Sequence, residues 1–388
     1  MSNIPYGRQD INQADIDAVV AVLRSDFLTQ GPAIPSFENA VADYCGAKYG
    51  VAVNSATSAL HIACLALGVG KGDSVWTTPI TFVASANCAL YCGATVDFVD
   101  IDPSTYNLSV ERLAEKLVVA EKNGKLPKVV IPVHLCGQPC DMAGIYALSQ
   151  QYGFKIIEDA SHAIGGKYKD EQVGSGRYSD ITIFSFHPVK IITTGEGGMA
   201  VTNDASLAKH MRLSRSHGIS SLAIDMQPRP EAEIWNYQQI DLGFNYRMTD
   251  IQAALGLSQI QRLEEFVAKR HRLAERYNSE LEDFPIQTPW QHPDTYSAYH
   301  LYPVRINYNE TGITQRKVYD AMQVAGINVN LHYIPVYRQP YYEAMGFKAG
   351  YCPEAEQYHR EALSIPIHPG LTDLEQNKVI RVIHDLLS

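Results

Sequence analysis

The sequence lacks the features that mark several protein classes. Its 388 residues contain no apolar run approaching the roughly 18 residues of a membrane span. The start, Met1 to Pro5, lacks the basic residues and following apolar stretch of a signal peptide. Charged residues make up 19% of the chain, give a net charge of −10 and form no block of one sign, so neither a nucleic acid nor a membrane surface is an expected partner. We therefore expect a soluble, cytoplasmic protein.

Cysteine is present, but not in a pattern that indicates disulfides. The seven cysteines are an odd number and include no C-x-x-C pair, so reduced thiols are expected in a chain of this length. The segment from His134 to Cys140 contains one histidine and two cysteines. It has no second ligand pair at the spacing of a zinc site, and no metal is therefore predicted.

Short β-branched runs alternate with amphipathic segments through the first half of the chain. Such alternation predicts an α/β fold with a mostly parallel seven-stranded sheet covered by helices. The predicted strands are Tyr49–Asn54, Ser74–Thr77, Thr95–Val99, Lys128–Val133, Lys155–Glu158, Asp180–Phe184 and Gly198–Thr202. The predicted helices are Gln13–Ser25, Ile34–Tyr44, Ser58–Leu67, Phe82–Tyr91, Val110–Lys122, Met142–Tyr152 and Ala205–Ser216. Ligands of such sheets bind at the carboxyl ends of the strands.

The second half of the sequence predicts a smaller α/β domain. A long helical pattern over Thr249–Tyr277 is the expected connector. We predict a large domain over residues 1–260 and a small C-terminal domain over residues 261–388. Residues 219–236, which contain two prolines and show weak periodicity, are predicted to form a mobile loop.

Two of the predicted strands lead into segments that are able to bind an anion or a charged ring. The first strand ends at Asn54 and is followed by Ser55, Thr57 and Ser58, where the hydroxyls and free amides of a helix start would bind phosphate. Simple capping of the helix by Ser55 or Thr57 is the alternative. The fifth strand delivers Asp159, a carboxylate that would hold a positively charged ring nitrogen or else cap a helix.

A third strand end carries a lysine. Ser185 closes an apolar strand, and Lys190 follows five residues later, ahead of a glycine-rich turn. Most lysines lie on solvated faces, whereas partial desolvation lowers the pKa of an amine and makes it able to form a Schiff base. A structural lysine is the alternative. A polar segment, Gly243 to Arg247, precedes the long helix and indicates little by itself.

These features occur together with further motifs in the order of one known family. The sequence resembles the DegT/DnrJ/EryC1/StrS family of sugar aminotransferases from about residue 8 to the C-terminus. The matching motifs are Gly72-Asp73, Thr81-Phe82-Val83-Ala84, Gly93-Ala94, Val99-Asp100-Ile101-Asp102, Val133-His134-Leu135-x-Gly137-x-Pro139, Glu158-Asp159-Ala160, Ser185-Phe186-x-x-x-Lys190 and Gly243-x-Asn245-Tyr246-Arg247. The resemblance implies a fold-type-I enzyme that uses pyridoxal 5′-phosphate (PLP).

The resemblance also implies roles for individual residues. Lys190 would carry the cofactor and move a proton between its C4′ atom and C4 of the sugar, which requires a neutral amine with a pKa near ~7–8. Asp159 would pair with the ring nitrogen of PLP. The other implied cofactor contacts are Thr57, Ser58 and Ser185 at the phosphate, Phe82 and His162 near the ring, and Asn245 at the phosphate of a neighbouring subunit. The last of these implies a homodimer.

Within the family, the sequence most resembles the aminotransferases of pseudaminic acid biosynthesis. The resemblance implies L-glutamate as the amino donor and a UDP-linked 2-acetamido-2,6-dideoxy-β-L-arabino-hexos-4-ulose as the acceptor. Residues implied to shape the nucleotide-sugar site are Tyr6, Leu28, Thr29, Arg247, His332, Tyr333 and Tyr337. Because the diphosphate is anionic and the protein carries a net charge of −10, Arg247 and His332 are the candidates for local positive charge.

Other functions were weighed against the same residues. An aminotransferase for another nucleotide 4-keto sugar, of the bacillosamine or aminoarabinose type, is the main alternative. A dehydratase branch of the family carries histidine at the position of Lys190, and a non-catalytic regulatory paralogue would not need Asp159, Ser185 and Lys190 together. A nicotinamide dehydrogenase would need a G-x-G-x-x-G turn, and the segment after Asn54 lacks it.

Overall fold

A computed structural model describes residues 3–228, 230, 232–233 and 237–387. The strands, numbered along the chain, are β1 (Tyr49–Val53), β2 (Ser74–Thr77), β3 (Thr95–Phe98), β4 (Val129–Ile131), β5 (Lys155–Asp159), β6 (Lys167–Tyr168), β7 (Glu171–Gln172), β8 (Ile181–Ser185), β9 (Gly198–Thr202), β10 (Ile219–Ser220), β11 (Gln238–Gln239), β12 (Ile286–Gln287), β13 (Thr295–Tyr296), β14 (Tyr302–Ile306) and β15 (Ala362–Ile365). The helices are α1 (Gln13–Leu23), α2 (Ala33–Cys45), α3 (Ala56–Ala66), α4 (Ala84–Tyr91), α5 (Val110–Lys122), α6 (Met142–Tyr152), α7 (Ala205–Arg215), α8 (Asp250–Gln259), α9 (Leu263–Glu280), α10 (Tyr308–Thr311), α11 (Gln315–Val324), α12 (Pro340–Glu343), α13 (Pro353–Glu361) and α14 (Asp373–Leu387).

A seven-stranded sheet forms the centre of the molecule. Its strand order is β1-β9-β8-β5-β4-β2-β3, and β9 is the one strand antiparallel to its two neighbours. These are the seven predicted strands, each within two residues of its predicted bounds. Their apolar runs suit the interior of a sheet that is covered on both faces, and β8 and β9 are buried along their whole length. The predicted mostly parallel α/β fold is confirmed.

The sheet brings the ends of three separate strands to one edge. β5 and β8 are parallel neighbours, so Asp159 and Ser185 both lie at their carboxyl ends. β1 and β8 are both antiparallel to β9, and the end of β1 therefore lies at the same edge. Gly198 pairs there with both Val53 and Ser185. A Cβ atom at Gly198 would lie 2.4 Å from the amide nitrogen of Ala56, so this glycine lets helix α3 begin against the sheet.

The predicted connector helix is broken. Instead of one helix over Thr249–Tyr277, the chain forms α8, a 3₁₀ turn over Ile260–Arg262, and α9. At this turn Arg262 reaches Asp10 and Asp15, each 2.6 Å away, in the segment that precedes α1 and in α1 itself. These ion pairs favour the tighter turn at this point, and the hydrophobic periodicity contains no signal for them.

A second core lies in the C-terminal part of the chain. The three-stranded sheet β12-β14-β15 packs with α9, α11 and α14 around Tyr277, Tyr302 and Met322. Ile4 belongs to this core, because its backbone exchanges hydrogen bonds with Gly326 and Asn328 at 2.9 and 2.8 Å. The expected smaller C-terminal unit thus also takes in residues close to the start of the chain. The boundary at residue 260 stays a prediction.

The segment predicted as a mobile loop, residues 219–236, begins with the short strand β10 and ends before β11. β10 pairs with β11 in antiparallel fashion, and residues 229, 231 and 234–236 of the predicted loop lie outside the described residues. Elsewhere, no helix in the described part of the chain has the length and apolar character needed to cross a membrane.

Candidate active site

A cavity of about 1080 Å³ opens at the sheet edge where β1, β5 and β8 end. Its walls come from the first turn of α3, the start of α4, the loop after β8, and the segment before α12. Ten of the residues predicted for the site line this cavity: Tyr6, Thr57, Ser58, Phe82, Asp159, His162, Ser185, Lys190, His332 and Tyr333. The sheet topology therefore gathers residues that lie far apart in the sequence.

One end of the cavity is formed by the start of α3. Ser55 caps the helix by accepting a hydrogen bond from the amide of Ser58 at 3.2 Å, which is the capping alternative considered above. The amides of Ala56 and Thr57, in the first turn of the helix, have no partner within the helix, and both residues line the cavity. Ser58 donates its hydroxyl to Asn54 at 2.7 Å, and Ser185 also lines the cavity. A capped helix start of this kind still suits an anion.

Asp159 also lines the cavity and is held in place by hydroxyl groups. Its side chain is buried, 4% exposed. Ser85 donates to Oδ2 at 2.6 Å, and the amide and hydroxyl of Ser161 donate to Oδ1 at 3.1 and 2.5 Å. Three donors on one carboxylate restrict its rotation, and Oδ2, which accepts only one of them, keeps a lone pair for a further partner. A cationic ring nitrogen fits this acceptor.

Lys190 projects into the same cavity from the loop after β8. Burial lowers the pKa of its amine to about 8, although the negative charge of Asp159 acts in the opposite direction. A substantial fraction of neutral amine is therefore present near neutral pH, and only the neutral amine is a nucleophile. This geometry pairs a carboxylate with a reactive amine across a single cavity.

Neutral aromatic and imidazole rings form one wall. His162 accepts a hydrogen bond at Nδ1 from the amide of Cys136 at 3.2 Å, and its Nε2 lies 3.4 Å from the hydroxyl of Tyr333. The ring of His300 lies 4.5 Å from that of His162, centroid to centroid. Burial lowers the pKa of both imidazoles well below the ordinary value. The two rings are therefore uncharged, and His162 carries its proton on Nε2.

Phe82 and Tyr6 complete the described wall. Phe82 is 59% exposed at the cavity and lies 6.5 Å from the ring of Tyr333. Tyr6 stacks at an angle on His332, with 5.3 Å between the ring centroids. An exposed phenylalanine beside a cavity suits contact with a planar ligand, because the ligand would cover apolar surface that is otherwise wet.

Four predicted site residues lie outside this cavity but close to one another. Asn245 is exposed, and Arg247 pairs through its backbone with Val53 at the end of β1. Thr29 pairs with Thr249, and the carbonyl of Leu28 accepts a hydrogen bond from the amide of Asp250 at 3.0 Å. Leu28, Thr29, Asn245 and Arg247 thus belong to two adjoining segments on the protein surface. Within one chain they do not contact the cavity.

Two expectations are corrected by the structure. Tyr337 is fully buried, donates to Glu356 at 2.8 Å and accepts from the amide of Cys352 at 3.2 Å, so it supports the core and does not line the site. His332 does line the site, but burial lowers its pKa to about 3. It hydrogen-bonds to Ser364 at 2.9 Å as a neutral ring and cannot supply positive charge to a diphosphate.

The sequence reasoning did not identify several residues of the site. Ser85 and Ser161 hold Asp159, and His300 contacts His162. Ser161 could have been found, because a serine two residues after an aspartate at a strand end commonly bonds back to that carboxylate. Ser85 lies on helix α4, 74 residues before Asp159 in the chain. No local sequence pattern indicates that these two residues are in contact.

The His134 segment has a structural role. His134 is fully buried, with its Nε2 3.0 Å from Glu158 and its Nδ1 accepting from the amide of Cys140 at 3.1 Å. Both ring nitrogens are occupied, and the thiol of Cys140 donates to the carbonyl of Val133. In the described ranges, no group of three or more histidine, cysteine, aspartate or glutamate side chains is arranged to hold a metal ion.

The donor set of the cavity fits PLP. A helix start with free amides and serine hydroxyls suits its phosphate, an anchored carboxylate suits its ring nitrogen, and a partly neutral lysine suits its aldehyde. These three protein groups line a single cavity. One PLP molecule has a phosphate, a ring nitrogen and an aldehyde, and would contact all three.

Comparison with known proteins supports the same assignment. The sequence profile of the DegT/DnrJ/EryC1/StrS aminotransferase family matches residues 9–384. The chain is 37% identical to the UDP-4-amino-4,6-dideoxy-N-acetyl-beta-L-altrosamine transaminase of Campylobacter jejuni, over 97% of this chain and 96% of that one. It is also 37% identical to the spore coat polysaccharide biosynthesis protein SpsC of Bacillus subtilis, over 99% and 97% of the two chains.

Solved structures share the whole fold. Helicobacter pylori PseC, an aminotransferase involved in the biosynthesis of pseudoaminic acid, matches with a TM-score of 0.90 and 29% identity, over 100% of this chain and 99% of that one. Other matching structures have been solved in a PLP-form and a PMP-form. The chain therefore belongs to the DegT/DnrJ/EryC1/StrS aminotransferase family, has the fold expected of it, and uses pyridoxal 5′-phosphate as its cofactor.

Proposed function

We propose that this protein transfers the amino group of L-glutamate to C4 of UDP-2-acetamido-2,6-dideoxy-β-L-arabino-hexos-4-ulose, giving UDP-4-amino-4,6-dideoxy-N-acetyl-β-L-altrosamine. Membership of the family supports the general reaction, transfer of an amino group to a nucleotide-linked sugar. The identity of the particular sugar is proposed because the chain is similar over nearly its whole length to the Campylobacter transaminase and to PseC. The pair of Lys190 and Asp159 across the cavity is the structural observation that supports the chemistry.

The residues of the cavity divide the work between binding and proton transfer. Bound PLP supplies an electron-withdrawing ring that stabilises negative charge at the carbon next to the transferred nitrogen. Asp159 would hold the protonated ring nitrogen, because Ser85 and Ser161 fix the position of its carboxylate. Lys190 takes up and returns a proton at its Nζ atom. An amine with a pKa of about 8 can do both near neutral pH.

The charge of the cavity leads to the second part of the proposal, a homodimer. Among the cavity-lining residues in the described part of the chain, Lys190 is the only lysine or arginine. A PLP phosphate and a nucleotide diphosphate together carry several negative charges, which need cations or oriented amides as partners. Asn245 is exposed outside its own cavity, and Arg247 follows two residues later. In the proposed dimer this surface serves the site of the neighbouring subunit.

A second candidate substrate is another nucleotide-linked 4-keto sugar. The chain is 37% identical both to SpsC, a spore coat polysaccharide biosynthesis protein, and to the Campylobacter transaminase, so sequence identity alone does not select the altrosamine product. The stereochemistry at C5 decides between the candidates, since it moves the C6 methyl group. A misplaced methyl in an apolar pocket is worth only ~1–3 kcal/mol, or roughly ten- to a few hundred-fold in kcat/KM.

The experiment that tests the substrate compares two sugars with the same enzyme. The purified holoenzyme is given L-glutamate and either the β-L-arabino 4-keto sugar or its C5 epimer of the α-D-xylo configuration, and kcat/KM is measured for each. The proposal expects the β-L-arabino compound to be preferred. A preference for the D-xylo compound would move the protein to the bacillosamine type and leave the cofactor assignments untouched.

The shared site is tested by complementation. Lys190→Ala protein and Asn245→Ala protein are mixed under conditions in which subunits exchange. A mixed dimer holds one site with both native residues, so activity above the sum of the separate variants is expected. If exchange is demonstrated by mass spectrometry and activity stays at that sum, Asn245 does not act on the neighbouring site.

A further inference from the structure

A fully buried arginine lies on helix α9, outside the cavity. Arg270 is 0% exposed and does not line the cavity. Burial lowers the pKa of its guanidinium to about 9, so the group still carries its charge near neutral pH. A charge that has lost all contact with water needs polar partners inside the protein.

The partners of Arg270 are backbone carbonyl groups from two separate segments of the chain. Its Nη1 atom donates to the carbonyls of Tyr299 and His300, each at 3.1 Å, and to the carbonyl of Ile367 at 2.9 Å. In the part of the chain that the structure describes, its hydrogen-bond acceptors are these carbonyls, with no carboxylate among them. The charge is therefore compensated only while both segments stay against it.

The first of these segments forms part of the cavity wall. His300 lines the cavity, and its ring lies 4.5 Å from that of His162, centroid to centroid. Tyr299, just before it, has a φ of 45°, a left-handed conformation that a residue with a bulky side chain rarely adopts unless its surroundings hold it there. Arg270 bonds to the carbonyl of Tyr299 itself and to the next one along the chain. These bonds hold the turn from which His300 reaches the cavity wall.

The second segment supports another part of the wall. The amide of Ile367 donates to the carbonyl of Tyr6 at 3.0 Å, while the carbonyl of the same residue accepts from Arg270. Tyr6 lines the cavity, and its ring lies 5.3 Å from that of His332. Ile367 thus connects the buried guanidinium to the Tyr6 side of the cavity.

We propose that Arg270 is a positioning residue for amino transfer, which holds the His300 and Tyr6 parts of the cavity wall together without touching cofactor or substrate. If either segment moved away, the guanidinium would keep its charge and lose acceptors inside the core, so the displaced wall is disfavoured. The surface that receives the sugar is then formed before the sugar binds, and binding does not have to order it. The inference rests on the proposed transfer to a nucleotide-linked sugar, but not on which sugar is used.

The first test measures amide hydrogen exchange of the PLP-loaded enzyme by mass spectrometry. Arg270→Met removes the charge and the hydrogen-bond donors. The amides of Leu301 and Ile367, which bond to the carbonyls of Cys136 and Tyr6, are expected to exchange at least about tenfold faster, while the central sheet keeps its rates. Unchanged rates at both amides would overturn the proposal.

Arg276 provides the matched control on the same helix. Its guanidinium bonds to the side chains of Gln376 and Asn377 on α14, and not to the cavity wall. Arg276→Met should speed exchange in α14 and leave the amides of Leu301 and Ile367 unchanged. If it speeds these two amides as much as Arg270→Met does, general loosening of the C-terminal core is the cause, and the role of Arg270 is refuted.

A milder variant keeps the test decisive even if Arg270→Met does not fold. Arg270→Lys keeps the charge on a side chain one bond shorter, which cannot reach all three carbonyls. The amides of Leu301 and Ile367 should still exchange faster than in the native protein, by a smaller factor than in Arg270→Met. Native exchange rates in Arg270→Lys would refute the proposed geometry.

The second test separates KM from kcat with the same variants. It uses whichever C5 epimer of the 4-keto sugar the native enzyme turns over faster, so its result does not depend on the identity of the sugar. Arg270→Met should raise KM for the sugar at least about tenfold and change kcat less than about threefold, because Lys190 and Asp159 belong to the central sheet and the loop after β8. Arg276→Met should leave KM unchanged. A fall in kcat at constant KM, or equal changes of KM in both variants, would overturn the proposal. If neither epimer is turned over, the proposed substrate fails, and the exchange test still decides the role of Arg270.

Discussion

Replacing the cofactor-binding lysine is expected to stabilise the cofactor-free protein. Lys190 lies in a cavity whose surroundings lower its pKa from 10.5 to about 8, chiefly because burial disfavours the charged amine. At pH 7 the folded protein must nevertheless keep that charge. Methionine at this position has similar length and no charge. Lys190→Met therefore removes the free-energy cost of burying a charged amine and leaves the shape of the cavity wall nearly unchanged.

The size of the effect follows from the difference between folded and unfolded pKa values. A shift from 10.5 to about 8 corresponds to about 3 kcal/mol at ~1.4 kcal/mol for each pKa unit. The attraction of Asp159 is already contained in that shift, since it raises the pKa against the effect of burial. For a chain of 388 residues, with an unfolding entropy of about 0.8 kcal/mol/K, about 3 kcal/mol is a rise of about 4 °C in Tm.

The stability difference between Lys190→Met and the native protein should change with pH in one direction. Between pH 8 and 10.5 the unfolded chain binds a proton that the folded site has released, so the stability of the native protein rises with pH across this window. The advantage of Lys190→Met is therefore complete below pH 8 and vanishes above pH 10.5. In an Asp159→Asn background the advantage grows, because the lysine has lost its attractive neighbour.

The assay is urea unfolding of protein from which PLP has been removed with hydroxylamine, at several pH values from 7 to 10.5. Lys71→Met serves as the control, because Lys71 is exposed and its replacement should change stability by less than about 0.5 kcal/mol. The reasoning is refuted if Lys190→Met is no more stable than the native protein at pH 7. A gain that is the same at pH 7 and pH 10.5 would equally exclude charge burial as its cause.

Two further predictions concern hydroxyl groups. Ser85→Ala removes the 2.6 Å hydrogen bond to Asp159, and a hydrogen bond to a charged acceptor is worth about 1.5–3 kcal/mol. The variant should keep its fold and lose roughly 10- to 150-fold in kcat/KM. Unchanged turnover would show that Asp159 is held well enough by its other donors. Tyr337→Phe removes one of the hydrogen-bond donors to Glu356 and leaves the amide of Cys352 without its acceptor. It should reduce the free energy of unfolding by about 1–3 kcal/mol while KM for the nucleotide sugar stays unchanged. A raised KM with normal stability would return Tyr337 to the substrate site.

Patterns that depend on burial alone were predictable from the sequence. The seven strands of the sheet are apolar runs with short connections, and their order along the chain determines which ends reach the cavity. Asp159, Ser185 and Lys190 follow such runs directly, so their convergence follows from the topology. The break between α8 and α9 does not, because it depends on ion pairs from Arg262 to a segment about 250 residues earlier in the chain.

Side-chain roles in loops were harder to predict, for physical reasons. Tyr337 and Tyr333 lie four residues apart in the same polar and aromatic segment, yet one is a core residue and the other lines the cavity. Sequence shows the ring but not the direction in which it points. The charge of His332 depends on how deeply the folded chain buries it. Ser85 reaches Asp159 only through the packing of α4 on the sheet.

The position of Tyr6 has a consequence for how the protein is made. Its carbonyl accepts a hydrogen bond from Ile367 at 3.0 Å, and two residues earlier Ile4 pairs with Gly326 and Asn328. Residues 4–6 thus find these partners only after residues 326–367 have been synthesised. At about 5–20 residues per second this is a delay of roughly 20–70 s. One wall of the cavity is therefore completed late, after the central sheet has had time to form, and newly made protein cannot enclose its cofactor until residue 367 has been synthesised.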